Sequence, residues 1–399
     1  MASLKDKVAI LGVAQTKFGE NLSMSYEDMA IQSTTGALED AGLTFKDIQA
    51  VFLGTFAPEY TGGRGKSGAS FTDVFGLRDY PVTRVTNYCA TGTEAFRTAA
   101  FSVASGQYDI VLALGVEKMR DVASRDSLVR QVAMQGHPLW GKGITAPGMF
   151  AMHATRYMAT YGFEYDDFKK ILAQVAVKNH YHGSLNPLAH FTKEIGIDNV
   201  LSAPYVCRPL GLFDCCPTTD GSAAVLVTRT EIARKMKDKF VVLKGMGLNV
   251  GCGDKVFFDS RDDLLNFRAT QGAAKQAYEQ AGIKDPFKEI DLAEVHDCFT
   301  ITEILNYEDL GFAKPGDGWK LIAEKRTYLN ADITVNPSGG LKSCGHPIGA
   351  TGLRMITEVT QHLLGRAGKR QVNNAKLGLV HNLGGAGSVA AVIVFGLPE

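Results

Sequence analysis

The chain of 399 residues contains itself twice, and this repetition constrains its fold more than any other feature. Thr35-Gly36-Ala37-Leu38-Glu39-Asp40-Ala41-Gly42, followed by Phe45-Lys46-Asp47-Ile48 and an apolar strand ending at Gly54, has a counterpart far downstream. That counterpart is Ala274 to Gly282, then Phe287-Lys288-Glu289-Ile290 and a strand ending near His296. Cys89-Ala90-Thr91-Gly92 parallels Gly349-Ala350-Thr351-Gly352, each opening a helix. Gly221-Ser222-Ala223-Ala224-Val225-Leu226-Val227 parallels Gly387 to Val394, each a buried strand. Both copies alternate strands with helices, so the class is α/β with largely buried sheets.

Spacing locates an insertion. Gly92 to Gly221 spans 129 residues and Gly352 to Gly387 only 35, so the first copy carries about 94 more. The excess falls roughly between residues 120 and 215, with a helix expected from Asp166 to Asn179. The organisation expected is therefore a first half (1–120 plus 215–240), an inserted substrate-covering unit (121–214) and a second half (241–399). A long insertion over a repeated scaffold commonly covers a site. Trp140, Met149, Phe150 and Met152 would either line an acyl channel there or simply pack.

Within this frame Cys89 stands out. Val82 to Thr86 reads as a short strand. Ala95, Phe96, Ala99, Ala100 and Val103 then follow helical spacing, and Gly106 is placed to end the helix. A thiol at a helix N-terminus meets free N–H groups and the positive end of the dipole, which favours the thiolate. The duplication predicts that Cys89 faces the equivalent turn of the second copy, Ser343-Cys344-Gly345-His346-Pro347. An imidazole within reach of a thiol takes its proton, so His346 is the second candidate.

Glu294-Val295-His296-Asp297-Cys298-Phe299 ends a strand, where α/β sheets carry their crevices. As a metal site this run is poor, because no partner His or Cys lies at ligand spacing nearby. His381-Asn382-Leu383-Gly384-Gly385-Ala386-Gly387 reads as a glycine-rich bend between two strands. The histidines of Asn179-His180-Tyr181-His182 and His362 look like surface or packing residues, and Cys215-Cys216 like packing residues beside Pro217. Gly65-Lys66-Ser67 mimics a P-loop end, but Tyr60 stands where its first glycine belongs. The glycines from Gly339 to Gly352 fit no dinucleotide fingerprint.

Forty-two basic residues balance forty-two acidic ones, so no net field recruits nucleic acid or an anionic membrane. No apolar stretch is long enough for a signal or a span, and the last residues are not a peroxisomal address. Seven cysteines in no paired pattern fit a reducing cytoplasm.

Asn87-Tyr88-Cys89-Ala90-Thr91-Gly92, His296-Asp297-Cys298-Phe299, Gly345 to Gly352 and Asn382 to Gly387 together resemble the motifs of the thiolase superfamily, in family order over nearly the whole chain. The His-Asp-Cys-Phe run, with Val177-Lys178-Asn179-His180 and Asp214 to Gly221, resembles the sterol-carrier-protein-2-type branch. No lipid-carrier segment is expected after the final strand. The resemblance implies the thiolase fold: two βαβαβαββ halves in five αβαβα layers with an inserted loop domain. It implies thiolytic cleavage of a 3-oxoacyl-CoA, or the reverse Claisen condensation, with coenzyme A as co-substrate and no metal or redox cofactor.

By the same resemblance Cys89 carries the acyl group, His346 activates it, and His296 with His346 faces one oxyanion. Backbone N–H groups at Cys89 and in the Gly385–Gly387 bend hold the other oxyanion. Common thiolases begin that bend with an acid/base cysteine; here Asn382 holds the place, so Cys298 takes over proton transfer, with Cys344 as alternate. A homodimer or higher homo-oligomer is implied, as is a small zinc-binding OB-fold companion subunit. Two other readings stand beside this one: a retro-aldolase of thiolase fold, and a non-catalytic scaffold that binds CoA esters.

Overall fold

The strands are almost wholly apolar, which requires both faces of the sheet to be covered. In the computed structural model, which describes residues 3–61, 68–69, 80–123, 145–251 and 263–398, helices cover both. The first half comprises β1 (Val8–Gln15), α1 (Tyr26–Ala41), β2 (Ala50–Gly54), β3 (Val82–Val85), α2 (Thr91–Ala104), β4 (Ile110–Glu117) and β5 (Gly221–Arg229). Between β4 and β5 lie α3 (Ala146–Tyr161), α4 (Tyr165–Ser184) and a small hairpin of Tyr205–Cys207 with Leu210–Gly211. The second half comprises β6 (Val241–Val250), α5 (Arg268–Ala281), β7 (Leu292–Val295), α6 (Thr300–Asp309), β8 (Thr334–Val335), α7 (Gly340–Ser343), α8 (Ile348–Leu363), β9 (Leu377–Gly384) and β10 (Val389–Gly396).

The strand order β3-β2-β4-β5-β1-β6-β10-β9-β7-β8 is its own mirror across the β1–β6 seam. The seam joins the halves through two residue pairs, Ala9 with Val242 and Ile10 with Val241, so the ten strands form one hydrogen-bonded sheet. Helices α2 and α8 pack against each other between the two five-stranded halves, with α1 on the outer side of one and α5 on that of the other. These are the five layers expected.

The close approach of α2 and α8 explains the Ala-Thr-Gly repeat. A Cβ on Gly92 would lie 2.8 Å from the Gly352 nitrogen and 2.9 Å from the Gly349 oxygen, so neither helix start tolerates a side chain there. Ala95, Phe96, Ala99, Ala100 and Val103 are all buried, and Gly106 follows the helix at φ 79°. The glycine-rich segment differs from its reading as one bend: His381 to Gly384 belong to β9, and the turn proper holds Gly385 (φ 63°) and Gly387 (φ 95°). The second helix of the insertion runs from Tyr165 to Ser184, longer at its C-terminal end than its periodicity implied. Gly65-Lys66-Ser67, Trp140 and Cys252 lie outside the described residues.

Candidate active site

Three loops that are remote in sequence meet between the halves. Cys89 precedes α2, His296 follows β7, and His346 precedes α8; one ligand-capable atom from each lies within 4.8 Å of the other two. All three line a cavity of about 410 Å³. The insertion roofs it: Met149 and Phe150 of α3 line the cavity, and Phe150 stacks on Phe299 at 4.7 Å. Met152, which was grouped with them, is 38% exposed and not among the lining residues.

The thiol of Cys89 differs from its expectation. Burial pushes it up to about 12, against the lowering effect of the Gly385 N–H and its own N–H, and the Glu117 carboxylate adds to the rise. Desolvation of the charged form is the largest influence on this half-buried thiol, larger than that of the two backbone N–H groups. These surroundings hold the resting group on the thiol side.

His346 presents a ring nitrogen without a hydrogen-bond partner among the described residues. Thr351 donates its hydroxyl hydrogen to the Pro347 carbonyl (2.9 Å), so its oxygen accepts from His346 Nδ1–H at 2.7 Å. This fixes the tautomer with the lone pair on Nε2, which is buried and has no hydrogen-bond partner among the described residues. Burial, with the nearby Arg354 guanidinium, lowers His346 to about 3, so the ring stands neutral.

His296 carries the opposite tautomer. The Asn382 amide donates to His296 Nδ1 at 3.1 Å, so the proton of this neutral ring resides on Nε2. Burial and the neighbouring His346, His381 and Arg354 hold His296 well below the ordinary imidazole range. The two rings meet edge-to-face with centroids 5.2 Å apart. One neutral ring thus offers a base and the other a hydrogen-bond donor.

Cys298 lines the same cavity, its thiol pushed well up by burial and then by Cys216 and Cys89. Cys344 is separate: it is fully buried, does not line the cavity, and receives the Asn186 amide at 3.8 Å. The Gly385 N–H points at the Cys89 sulfur, whereas Gly387 is not a cavity-lining residue. Cys215 and Cys216, read as packing residues, both line the cavity. The reason is a backbone fastening between the insertion's end and the site loop: Cys216 N–H donates to Cys298 O at 2.9 Å, and Cys215 bridges Phe299.

Sequence reasoning passed over the buried polar scaffold beneath these loops. Asp297 accepts from the Leu341 N–H (2.6 Å) and the Asn179 amide (2.7 Å). Asn179 also donates to Glu303 (2.7 Å), which receives Asn336 (2.7 Å) and pairs with Lys178. The insertion helix α4 is thereby bonded to both flanks of the Cys298 loop. Glu294 pairs with Arg354, whose guanidinium also donates to Ser338 (2.6 Å). Glu117 accepts from the N–H groups of Phe56 (2.8 Å) and Gly349 (2.9 Å), tying the end of β4 to the start of α8. Charged residues inside apolar strand ends were the available signal for Glu117 and Glu294. Nothing in the sequence paired them with their partners.

Cys89, His296 and His346 each bring one ligand-capable atom to a common cluster, a grouping that sequence spacing around His296 did not reveal. The three residues come from separate loops, so local spacing along the chain carries no trace of their proximity. No helix among the described residues is long and apolar enough to cross a membrane.

Comparisons with known proteins agree with this architecture. Residues 8–231 match the family model for the thiolase N-terminal domain, and 253–397 the one for the thiolase C-terminal domain-like family. An acetyl-CoA acetyltransferase of Methanothermobacter thermautotrophicus is 40% identical, covering 97% of this chain and 99% of the relative. Sterol carrier protein 2 of Bos taurus is 33% identical over 99% of this chain and 74% of its own length. Among solved structures, an aldolase described as Ltp2-ChsH2(DUF35) shares the fold with a TM-score of 0.82 at 23% identity, covering 99% of both chains. A monomeric SCP2-thiolase-like protein from Mycobacterium smegmatis has a TM-score of 0.74 at 18% identity, covering 98% of this chain and 78% of its own. The chain belongs to the thiolase superfamily, in its sterol-carrier-protein-2-type branch.

Proposed function

We propose that the protein is a CoA-dependent acyltransferase that cleaves a 3-oxoacyl-CoA, or runs the reverse condensation, through an acyl group on Cys89. The observation that carries this is the convergence of Cys89, His296 and His346 within 4.8 Å on the wall of one largely apolar cavity that Cys298 shares. The acetyltransferase relative supports the same reaction class.

The Cys89 sulfur attacks the 3-oxo carbon while its proton passes to His346 Nε2. The carbonyl oxygen becomes an oxyanion at the backbone N–H groups of Cys89 and the Gly385 turn. Cleavage of the C2–C3 bond leaves the acyl group on Cys89 and an enolate of acyl-CoA, whose oxygen accepts a hydrogen bond from His296 Nε2–H. Cys298 gives its proton to C2 and becomes a thiolate. That thiolate takes the proton of a second CoA, whose sulfur attacks the Cys89 thioester. Cys89 leaves and recovers its proton from His346, so both acids are restored. A preorganised oxyanion donor contributes about 3 kcal/mol in such sites.

Purified protein is to be assayed with acetoacetyl-CoA plus CoA, then with longer, branched and aryl 3-oxoacyl-CoAs. Acyl-CoA formation that disappears in Cys89→Ser is expected. Cleavage of a 3-hydroxyacyl-CoA to an aldehyde or ketone plus acyl-CoA that persists in Cys89→Ser would replace this reading with the retro-aldolase one, and ester binding without turnover would favour the scaffold. Homodimerisation, cytoplasmic residence and a small OB-fold companion are further expectations; co-purification with tagged chain tests the last, and light scattering the first.

A further inference from the structure

We propose that Cys89, His296 and His346 form a three-coordinate site for Zn²⁺, open toward the cavity, whose occupation blocks acylation of Cys89. The donor set is one thiol and two neutral imidazoles, the composition that borderline-soft divalent zinc takes, with three protein ligands and one exchangeable position. Their ligand atoms already lie within 4.8 Å of one another. Tetrahedral zinc with sulfur and nitrogen ligands spaces them about 3.5 Å apart, so occupation draws the three ligand atoms together.

A second observation points the same way. His346 Nε2 is buried without a hydrogen-bond partner among the described residues, while Thr351 holds the opposite ring nitrogen at 2.7 Å. A ligating histidine has this arrangement, its far nitrogen anchored by an oxygen acceptor. Cys89 would bind as thiolate, its proton released to solvent, and water would fill the fourth position from the cavity.

His296 sets the affinity. With Asn382 Nδ2 donating to its Nδ1, the Nε2 of His296 carries a proton and cannot ligate through that atom. Metal entry requires the Asn382 amide to invert, so that its oxygen accepts Nδ1–H and frees the Nε2 lone pair. Catalysis and metal binding thus demand opposite orientations of one amide. The prediction that follows is specific: Asn382→Asp, which supplies only acceptors to Nδ1–H, tightens zinc binding about tenfold or more.

The test uses Co²⁺ as a spectroscopic probe on the purified chain, followed by Zn²⁺ displacement. About one Co²⁺ per chain is expected, with tetrahedral visible bands and a sulfur-to-cobalt charge-transfer band. That band should vanish in Cys89→Ser, weaken in His346→Gln, persist in Cys216→Ser and strengthen at limiting cobalt in Asn382→Asp. Zn²⁺ should slow iodoacetamide labelling of Cys89, read by peptide mass spectrometry, and chelator should restore it. Circular dichroism confirms that each variant is folded; if Cys89→Ser is not, His346→Gln and Asn382→Asp decide. A charge-transfer band unchanged by all these variants, or Cys89 labelling unaffected by saturating Zn²⁺, overturns the proposal. None of these readouts depends on turnover, so failure of the site and failure of the acyltransferase reading are separable.

Discussion

Thr351→Val isolates the role of one hydrogen bond. Thr351 is fully buried in the first turn of α8, and its oxygen receives His346 Nδ1–H at 2.7 Å while its hydrogen goes to Pro347 O. Valine preserves the shape and removes both functions. In the resting site Nδ1–H then lacks an acceptor, which favours the tautomer whose proton sits on Nε2, facing the thiol it should deprotonate. During acylation the ring becomes an imidazolium, whose hydrogen bond to a neutral acceptor is worth about 1.5–3 kcal/mol. Loss of that stabilisation corresponds to a roughly 10- to 150-fold slower acylation. Loss of the bond to Pro347 costs about 1 kcal/mol of stability, too little to unfold a chain of this size. The assay is single-turnover acylation of Cys89 from acyl-CoA, quenched and quantified by peptide mass spectrometry. Thr351→Ser restores the acceptor and should recover the rate to within a few-fold. Acylation by Thr351→Val at the wild-type rate would show that the tautomer of His346 is not set by this residue, and the account of the base would fall.

Other consequences are as direct. Because burial raises the Cys89 thiol to about 12, its thiolate fraction stays far below saturation at neutral pH and grows with every unit of pH. Iodoacetamide labelling of Cys89 in the free protein should therefore rise about tenfold per pH unit from 6 to 9, whereas a plateau near neutrality would indicate a preformed thiolate. Asn179→Ala removes a bond to Asp297 and another to Glu303; we expect α-proton exchange on acyl-CoA to slow more than acylation of Cys89, and equal slowing of both would assign Asn179 a merely structural part. Cys298→Ala should abolish that exchange while Cys89 still acylates; exchange that continues undiminished removes Cys298 from the role. Gly92→Ala places a Cβ 2.8 Å from the Gly352 nitrogen, and overpacking of this kind costs about 1–3 kcal/mol, visible as a lower Tm.

The duplication was legible because each copy has to bury the same kinds of surface, and so Gly92 and Gly352 repeat where the starts of helices α2 and α8 press together. That repeat placed Cys89 opposite the turn of His346 before any geometry was known. Other features were hidden for physical reasons. The ionisation of Cys89 depends on how completely the insertion and second half enclose it, and helix-terminus reasoning alone gave the wrong sign. Cys216 reaches the cavity through a backbone bond to Cys298, a partner 82 residues away that composition does not encode. The tautomers of His296 and His346 are set by Asn382 and Thr351, polar residues whose side chains could equally have capped a helix or faced water.

On the proposed function Cys89 becomes an acyl thioester with His346 as its base. The most direct measurement is to mix the protein with acyl-CoA in the absence of added CoA, quench in acid and map the acyl group by peptide mass spectrometry. The account predicts the label on the Cys89 peptide, absent in Cys89→Ser and strongly reduced in His346→Ala. An acyl group found instead on Cys298, Cys216 or Cys344, or sustained turnover with Cys89 unlabelled throughout, would contradict it.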